Sequence, residues 1–423
     1  MDKSTLSNYG WLVIVTLILA VMLAFATPFG TYVGDGVVSV ANGIVGTSND
    51  ATAEENISQE SVEWAIKTDY GIDYDECYYF KNISDAVDSI NNNSFASASK
   101  KIKGNNIVVG ISDENAAVIR FLEDANITNT ITLTKSCIID LYSHNLTFSF
   151  NAQGADNKCI VIEDTSADLF FKLTSHTQGK IICDNAKYLL AYHSAGDVVI
   201  ENIDFVHTGI YNYITQTVRF KNADNKIKSI KINNCNISFS GTSSSNTALC
   251  MNNVLKATVD SVNIKQNNTD SMFSISLRET DNITINRCDA KSIAYVDALT
   301  YGSGNMILYK NNGFINISDS NFSMEMNASP IENTKGLTVF SLVENGDRTT
   351  IVNLENSSFS LNLNGDTPSN VSFWGGNSAN ENGYIFKTFE FNSVNCKYST
   401  LKNGVATKLI LNKAEITFNG FND

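Results

Sequence analysis

Seven segments of the chain repeat one pattern: two apolar residues at alternate places, a polar corner two residues on, then an apolar or small residue three places after the second apolar one. Anchored at Ile200, Ile232, Val259, Ile285, Ile317, Leu354 and Phe391, the copies read as in VIENIDF, IKINNCNISF, ITINRCDAKS, INISDSNFSM and VNLENSSFSL. Two positions before each anchor stand Val198, Ile230, Ala257, Ile283, Ile315, Val352 and Phe389, the alternation of a half-buried strand. Beyond the anchor the phase slips. Apolar or small residues recur at plus three (Ile203, Cys235, Val262, Cys288, Ser320, Ser357, Val394) and at plus five (Phe205, Ile237, Ile264, Ala290, Phe322, Phe359, Cys396). Period two, then three, then two again describes a strand, a sharp corner and a second strand facing the same interior. The corner falls at Asn202, Asn234, Ser261, Asp319, Asn356 and Ser393, with Arg287 departing from the type. Asn and Asp tolerate the left-handed backbone that so tight a corner demands. In this phase Ile237 points inward and Asn236 outward.

The anchors follow one another at 32, 27, 26, 32, 37 and 37 residues, which is a regular coil with loops of unequal length. One such unit cannot close a core, and stacking units at about 4.8 Å buries a continuous one. On these residues the chain resembles the right-handed parallel β-helix, or pectate-lyase-like, superfamily across residues 104–420. The resemblance implies an all-β class, a right-handed parallel β-helix solenoid, to which the residues ahead of it add an expected N-terminal membrane or signal helix and a short capping helix. It describes coil packing rather than a site, so it speaks to fold far more than to function.

Four regions are expected: an N-terminal hydrophobic anchor or signal at 1–45, a linker at 46–60, an aromatic segment with a capping helix at 61–103, and the β-helix at 104–423. Residues 11–25 are apolar apart from Thr16, a length between a signal-peptide core and a membrane span. Ala24, Phe25 and Ala26 fit a small-x-small cleavage site, whereas a second apolar stretch at 32–45 extends an anchor; the permanent anchor is the favoured reading. The segment also resembles a Flp-type pilin of the Tad family through Tyr9-Gly10, the apolar run, Ala26-Thr27 and Gly30. It departs from that family at Asn8, where a Glu is usual, and in having no preceding Gly as a processing site. All of these readings place residues 51 onward outside the cytoplasm. Further on, Trp64, Tyr70, Tyr74, Tyr78 and Tyr79 cluster without a period. Ile83, Ala86, Val87 and Ile90 then mark one face of a short helix, with Ser84 available as its N-cap. Such a helix is expected to cover the open end of the solenoid, because an exposed coil end is a row of unpaired strand edges.

Charge narrows the partners. With 44 acidic against 30 basic residues the formal net charge is −14, which disfavours nucleic acid and anionic membrane surfaces as partners of the solenoid body. Eight cysteines invite a disulfide framework. Yet Cys235 and Cys288 share an inward place two coils apart, roughly 9.6 Å, beyond disulfide reach. Cys137, Cys159 and Cys183, spaced by 22 and 24 residues, leave room for one bridge without implying it.

Catalytic signals are few. His144, His176, His193 and His207 lack metal-ligand spacing, and no phosphate loop, nucleophile elbow or HExxH is present, so no metal or cofactor is expected. The resemblance to pectate lyases raises polysaccharide cleavage, with calcium implied only under that reading. Arg278, Glu279 and Asp281, with Asp260 one coil earlier, are its candidate acid/base group, and a solvated turn is the plainer account of them. The long coils after Ile317 and Leu354 place Trp374 and Tyr384 in insertions, where an aromatic face can stack on a sugar. The expected function is a noncatalytic extracellular, cell-surface β-helix, adhesin-like or pilus-associated, displaying ligand-binding loops. Its expected partners are a surface or extracellular glycan or protein, the membrane through the N-terminal helix, and pilus subunits. The alternative is a carbohydrate-active enzyme, a polysaccharide lyase or glycoside hydrolase.

Overall fold

The computed structural model describes residues 77–94, 105–111, 116–150, 157–165, 168–268, 271–296, 303–328, 337–343, 346–365, 371–376, 386–407 and 417–421. The anchor, the linker and the aromatic residues up to 76 lie outside these. Among the described residues no helix is long and apolar enough to cross a membrane.

The strands stack in three parallel ladders that the chain visits in turn. Sheet A holds the anchor strands: 117–120 pairs with 137–140, then 171–174, 198–201, 229–233, 256–260, 282–286, 313–318 and 349–355. Sheet B holds the strands after the corner, as where Phe205, Ile237, Ile264, Ala290, Phe322 and Phe359 lie in register. Sheet C closes each coil, running Ile160, Leu190, Val218, Leu249, Ile275, Met306, Phe340. This is a parallel β solenoid, and its inward rows are one continuous apolar core.

Six of the seven corners are the expected ones. Asn202, Asn234, Ser261, Arg287, Asp319 and Asn356 all have φ between +47° and +59°, the left-handed region. Arg287 adopts it without the short polar side chain of the others. A β-branched residue is strained there, so Ser261→Val is expected to lower stability by about 1–2 kcal/mol, while Ser261→Gly should leave it unchanged or raise it slightly. Denaturant midpoints of the two variants check this.

The seventh anchor is corrected. Leu354 pairs with Ser393, not Phe391, and the left-handed corner falls at Asn395 (φ 54°), not Ser393. Plus three is therefore Cys396 and plus five Tyr398, which pairs with Phe359. Phe389 and Phe391 lie one period earlier, and a two-residue slip leaves an alternating pattern unchanged. The corrected register extends a file of stacked rings, Phe322, Phe359, Tyr398 and Phe421, with successive centroids 5.6, 5.7 and 5.3 Å apart. Val394, expected inward, is 55% exposed.

The solenoid's opening also differs from expectation. Strand Ile107–Ile111 is antiparallel to Ala117–Phe121 and to Tyr78–Phe80, so parallel stacking starts near 117 rather than 104. Helix Ile83–Asn92 buries Ile83, Ala86, Val87 and Ile90 as expected, but its N-cap is Asn82, whose side chain accepts from the Asp85 amide at 2.9 Å. Asn91 fastens the helix to the first coil: its Nδ2 donates to the Thr132 carbonyl at 2.8 Å and its Oδ1 accepts from the Thr134 amide at 3.0 Å.

No disulfide joins any of the eight cysteines. Cys235 and Cys288 flank Val262 in the inward row, and burial pushes each thiol up to about 12. Cys137 belongs to sheet A, Cys159 to sheet C and Cys183 to sheet B. Burial pushes the Cys159 thiol well up, with a lesser contribution from Cys183, whose own Sγ donates to the Asp184 carbonyl at 3.2 Å.

The core also holds a neutral histidine. His207, 1% exposed, donates from Nε2 to the Ala186 carbonyl at 2.7 Å and accepts at Nδ1 from Thr217 Oγ1 at 3.4 Å. Burial lowers its pKa from the ordinary 6.5 to about 4, and burial with nearby Arg219 and Lys158 does the same for His193. Between these values the unfolded chain binds the proton that the folded one refuses. The stabilisation is therefore complete above pH 6.5 and lost as pH falls towards 4, on the order of 3 kcal/mol for His207. Unfolding titrations of His207→Gln should show a flatter dependence between those pH values than the parent.

Candidate functional site on sheet A

Along each sheet A strand the residues between inward positions form two outward rows. The first runs Lys231, Thr258, Thr284, Asn316, Asn353, Asn392, and the second Asn233, Asp260, Asn286, Ser318, Glu355. Residues of the two rows, from Lys231 to Ser318, line an open groove of about 540 Å³. Parallel stacking brings like positions of successive coils together, and their side chains bond along the axis. Asn286 Nδ2 donates to Asp260 Oδ1 at 2.9 Å, and Ser318 Oγ donates to Asn286 Oδ1 at 3.0 Å. In the first row an amide ladder joins Asn316, Asn353, Asn392 and Asn419 at 2.8, 2.9 and 2.8 Å. Within the groove the second row, Asp260, Asn286 and Ser318, is thus bonded along the axis at the coil repeat, and the amide ladder of the first row continues beyond it.

Asp260 is the charged group at its centre. Arg287 clamps it, Nε donating to Oδ1 at 2.9 Å and Nη2 to Oδ2, and this pairing holds the carboxyl below its ordinary range. The corner that places Arg287 in left-handed backbone, one coil after Asp260, is what aims the guanidinium at the carboxylate.

The other expected acid/base residues stand elsewhere. Asp281 precedes Asn282, which pairs with Lys256, so it sits five residues along the strand direction from Asp260, about 16 Å. It is bonded to Lys226 at 2.5 Å. Glu279 forms the left-handed corner between sheets C and A (φ 53°), and Arg278 ends a sheet C strand with Nε donating to Ser276 Oγ at 3.0 Å. Asp260 is therefore not brought together with Arg278, Glu279 and Asp281. Trp374 lies within strand Val371–Gly376 of sheet C, in register with the buried Phe340, and not in a loop. Tyr384 lies outside the described residues. Among the described residues no group of three or more His, Cys, Asp or Glu side chains is placed to hold a metal ion.

Lys231, Thr258, Thr284, Asn286 and Ser318 were not singled out in the sequence. Their signal was present: they are the residues one place to either side of each anchor, which the inward-looking pattern treats only as spacers. Comparison of the chain with protein-family models, with curated proteins and with solved structures gives no match.

Proposed function

We propose that the chain is a noncatalytic extracellular solenoid whose sheet A groove binds a hydroxyl-rich, extended ligand, with a surface glycan as its class, in an adhesin-like or pilus-associated setting. The observation that carries this reading is the geometry of the groove: two rows of mostly short polar side chains, one of them locked by bonds along the axis, repeating at about 4.8 Å, close to the length of one pyranose unit. Preorganised donors and acceptors lose little entropy on binding, which suits a ligand made of many weak contacts. The display setting rests on the apolar run at residues 11–25 of the sequence.

The state of Asp260 supports binding over bond cleavage. A carboxylate with both oxygens engaged by a guanidinium, and held ionised, is a poor proton acceptor at neutral pH. Its chemistry fits an acceptor for ligand hydroxyls bridged through the flanking amides. The test is a Thr284→Arg variant, which lays a long side chain across the groove at an exposed strand position and should leave the fold within about 0.5 kcal/mol of the parent. On an array of neutral and uronic-acid glycans, the parent should bind a discrete subset and the variant should lose it. Equal binding by both proteins would remove the groove from consideration.

A further inference from the structure

Among the described ladder pairings of the solenoid, one sets two like charges directly opposite each other: Lys265 and Lys291 on the outer face of sheet B. Several other charges are matched by neighbours of opposite sign. Glu201 lies between Lys172 and Lys231, at 3.1 and 3.4 Å, and Asp260 faces Arg287. Lys265 and Lys291 are exposed and, among the described residues, neither enters an ion pair. The places before and after them in the same row are Ser238 and Ser323. Asp289, two residues before Lys291, accepts from Asn321 at 3.0 Å, and Glu325, opposite Ile293, accepts from Asn327 and Asn364 at 3.3 and 3.1 Å. Like charges directly opposite each other on strands about 4.8 Å apart destabilise a sheet. In a chain of net charge −14 the arrangement concentrates positive potential at one place.

The pair borders a second groove, of about 280 Å³, whose lining includes Thr208, Ser238, Ser240 and Asn267 beside the two lysines. The Thr208 hydroxyl donates to Asp184 and the Ser238 hydroxyl to the Phe205 carbonyl at 3.1 Å, which leaves the Ser240 hydroxyl and the Asn267 amide beside the lysines to donate to a bound oxyanion. Ile293, half-buried in the same lining, offers an apolar contact. We infer that this groove is an anion-binding site, distinct from the sheet A groove, that takes an oxyanion carried on an extended polymer: a sulfate ester or a carboxylate bridging the two ammonium groups. The ligand would relieve the repulsion that the fold leaves in place. The solenoid's overall negative charge repels polyanions from the rest of the surface, so binding is expected to depend on this pair.

The experiment uses the full chain at low ionic strength, with dextran sulfate, polygalacturonate and uncharged dextran as probes. The parent should bind at least one of the two polyanions and not dextran, and its melting temperature should rise with the polyanion bound. Binding to dextran sulfate alone identifies the sulfate ester as the group recognised, and binding to polygalacturonate alone the carboxylate. Lys265→Ser/Lys291→Ser, which continues the serine row, should fold as stably as the parent or more so and bind at least tenfold more weakly. Lys265→Gln/Lys291→Gln should behave alike, and Lys256→Ser, an exposed lysine on sheet A, should bind as the parent does. The inference is overturned if the parent binds neither polyanion, or if both double variants bind as tightly as the parent. Because Thr284→Arg blocks the other groove only, loss of polyanion binding in that variant would likewise overturn this assignment without deciding the reading of sheet A.

Discussion

Ile237→Asp is expected to abolish cooperative folding of the middle coils. Ile237 is 1% exposed and lies in register between Phe205 and Ile264, so each neighbouring coil presents an apolar side chain to it. The substitution removes the burial of a large aliphatic group, about 2–3 kcal/mol, and puts an unpaired carboxylate among hydrocarbon at several kcal/mol more. A loss above about 5 kcal/mol falls in the exceptional tail for single substitutions. Stability in a stacked-repeat protein comes from nearest-neighbour interfaces, so the defect should split the solenoid rather than stay local. Circular dichroism and a denaturant titration check it. Asn236→Asp, the outward neighbour, is the comparison, although it is not neutral. Asn236 donates to Asp204 and accepts from Asn263 Nδ2 at 2.9 Å, so an Asp there faces a second carboxylate. A loss of about 1 kcal/mol, relieved at low pH or high salt, is expected.

Arg120→Met is the second large effect. Arg120 is 1% exposed, and both its Nε and Nη2 reach Asp140 Oδ2 at 2.6 Å from the adjacent coil of sheet A. The guanidinium also lies 4.6 Å from the centre of the Tyr142 ring, while Asp140 Oδ1 accepts from the Tyr142 amide at 2.9 Å. Removing the cation leaves Asp140 buried and uncompensated, which costs about 3–5 kcal/mol. Replacing the pair together, as Arg120→Met/Asp140→Leu, should recover most of that loss, because two buried charges exchanged for packed apolar groups are near neutral. If the double variant is as unstable as the single one, the pair does more than satisfy itself.

Sheets A and B were legible because each buries one face. Alternation along 229–233 and 235–239, broken by a polar corner, carries both the strand and the turn in a few residues. Sheet C gave no such signal. Tyr188–Tyr192 and residues 246–251, 272–277, 303–308 and 337–342 are buried throughout, and a strand covered on both faces shows no period. That is also why Trp374 read as a loop aromatic when it belongs to a sheet C strand. Shortening residues 364–383 would therefore delete the strand Val371–Gly376 as well as a connection. Asp260 was legible as a charged residue beside an anchor. Its partner Arg287 read only as an exception to the corner rule, because the contact joins successive coils and spacing within one coil is blind to it. The opposed Lys265 and Lys291 stayed hidden for the same reason, 26 residues apart in sequence and adjacent in the ladder.

The central claim, that the sheet A groove holds a glycan without cleaving it, is tested most directly by recovering the ligand from the complex. Glycans retained by the parent from neutral and uronic-acid polysaccharides, incubated with and without calcium, would be released and sized by mass spectrometry. The account predicts chains of unchanged length with no unsaturated or newly reducing ends, and no retention by Thr284→Arg. Shortened or unsaturated chains that appear with the parent and vanish with Asp260→Asn would contradict it and make the groove a catalytic one.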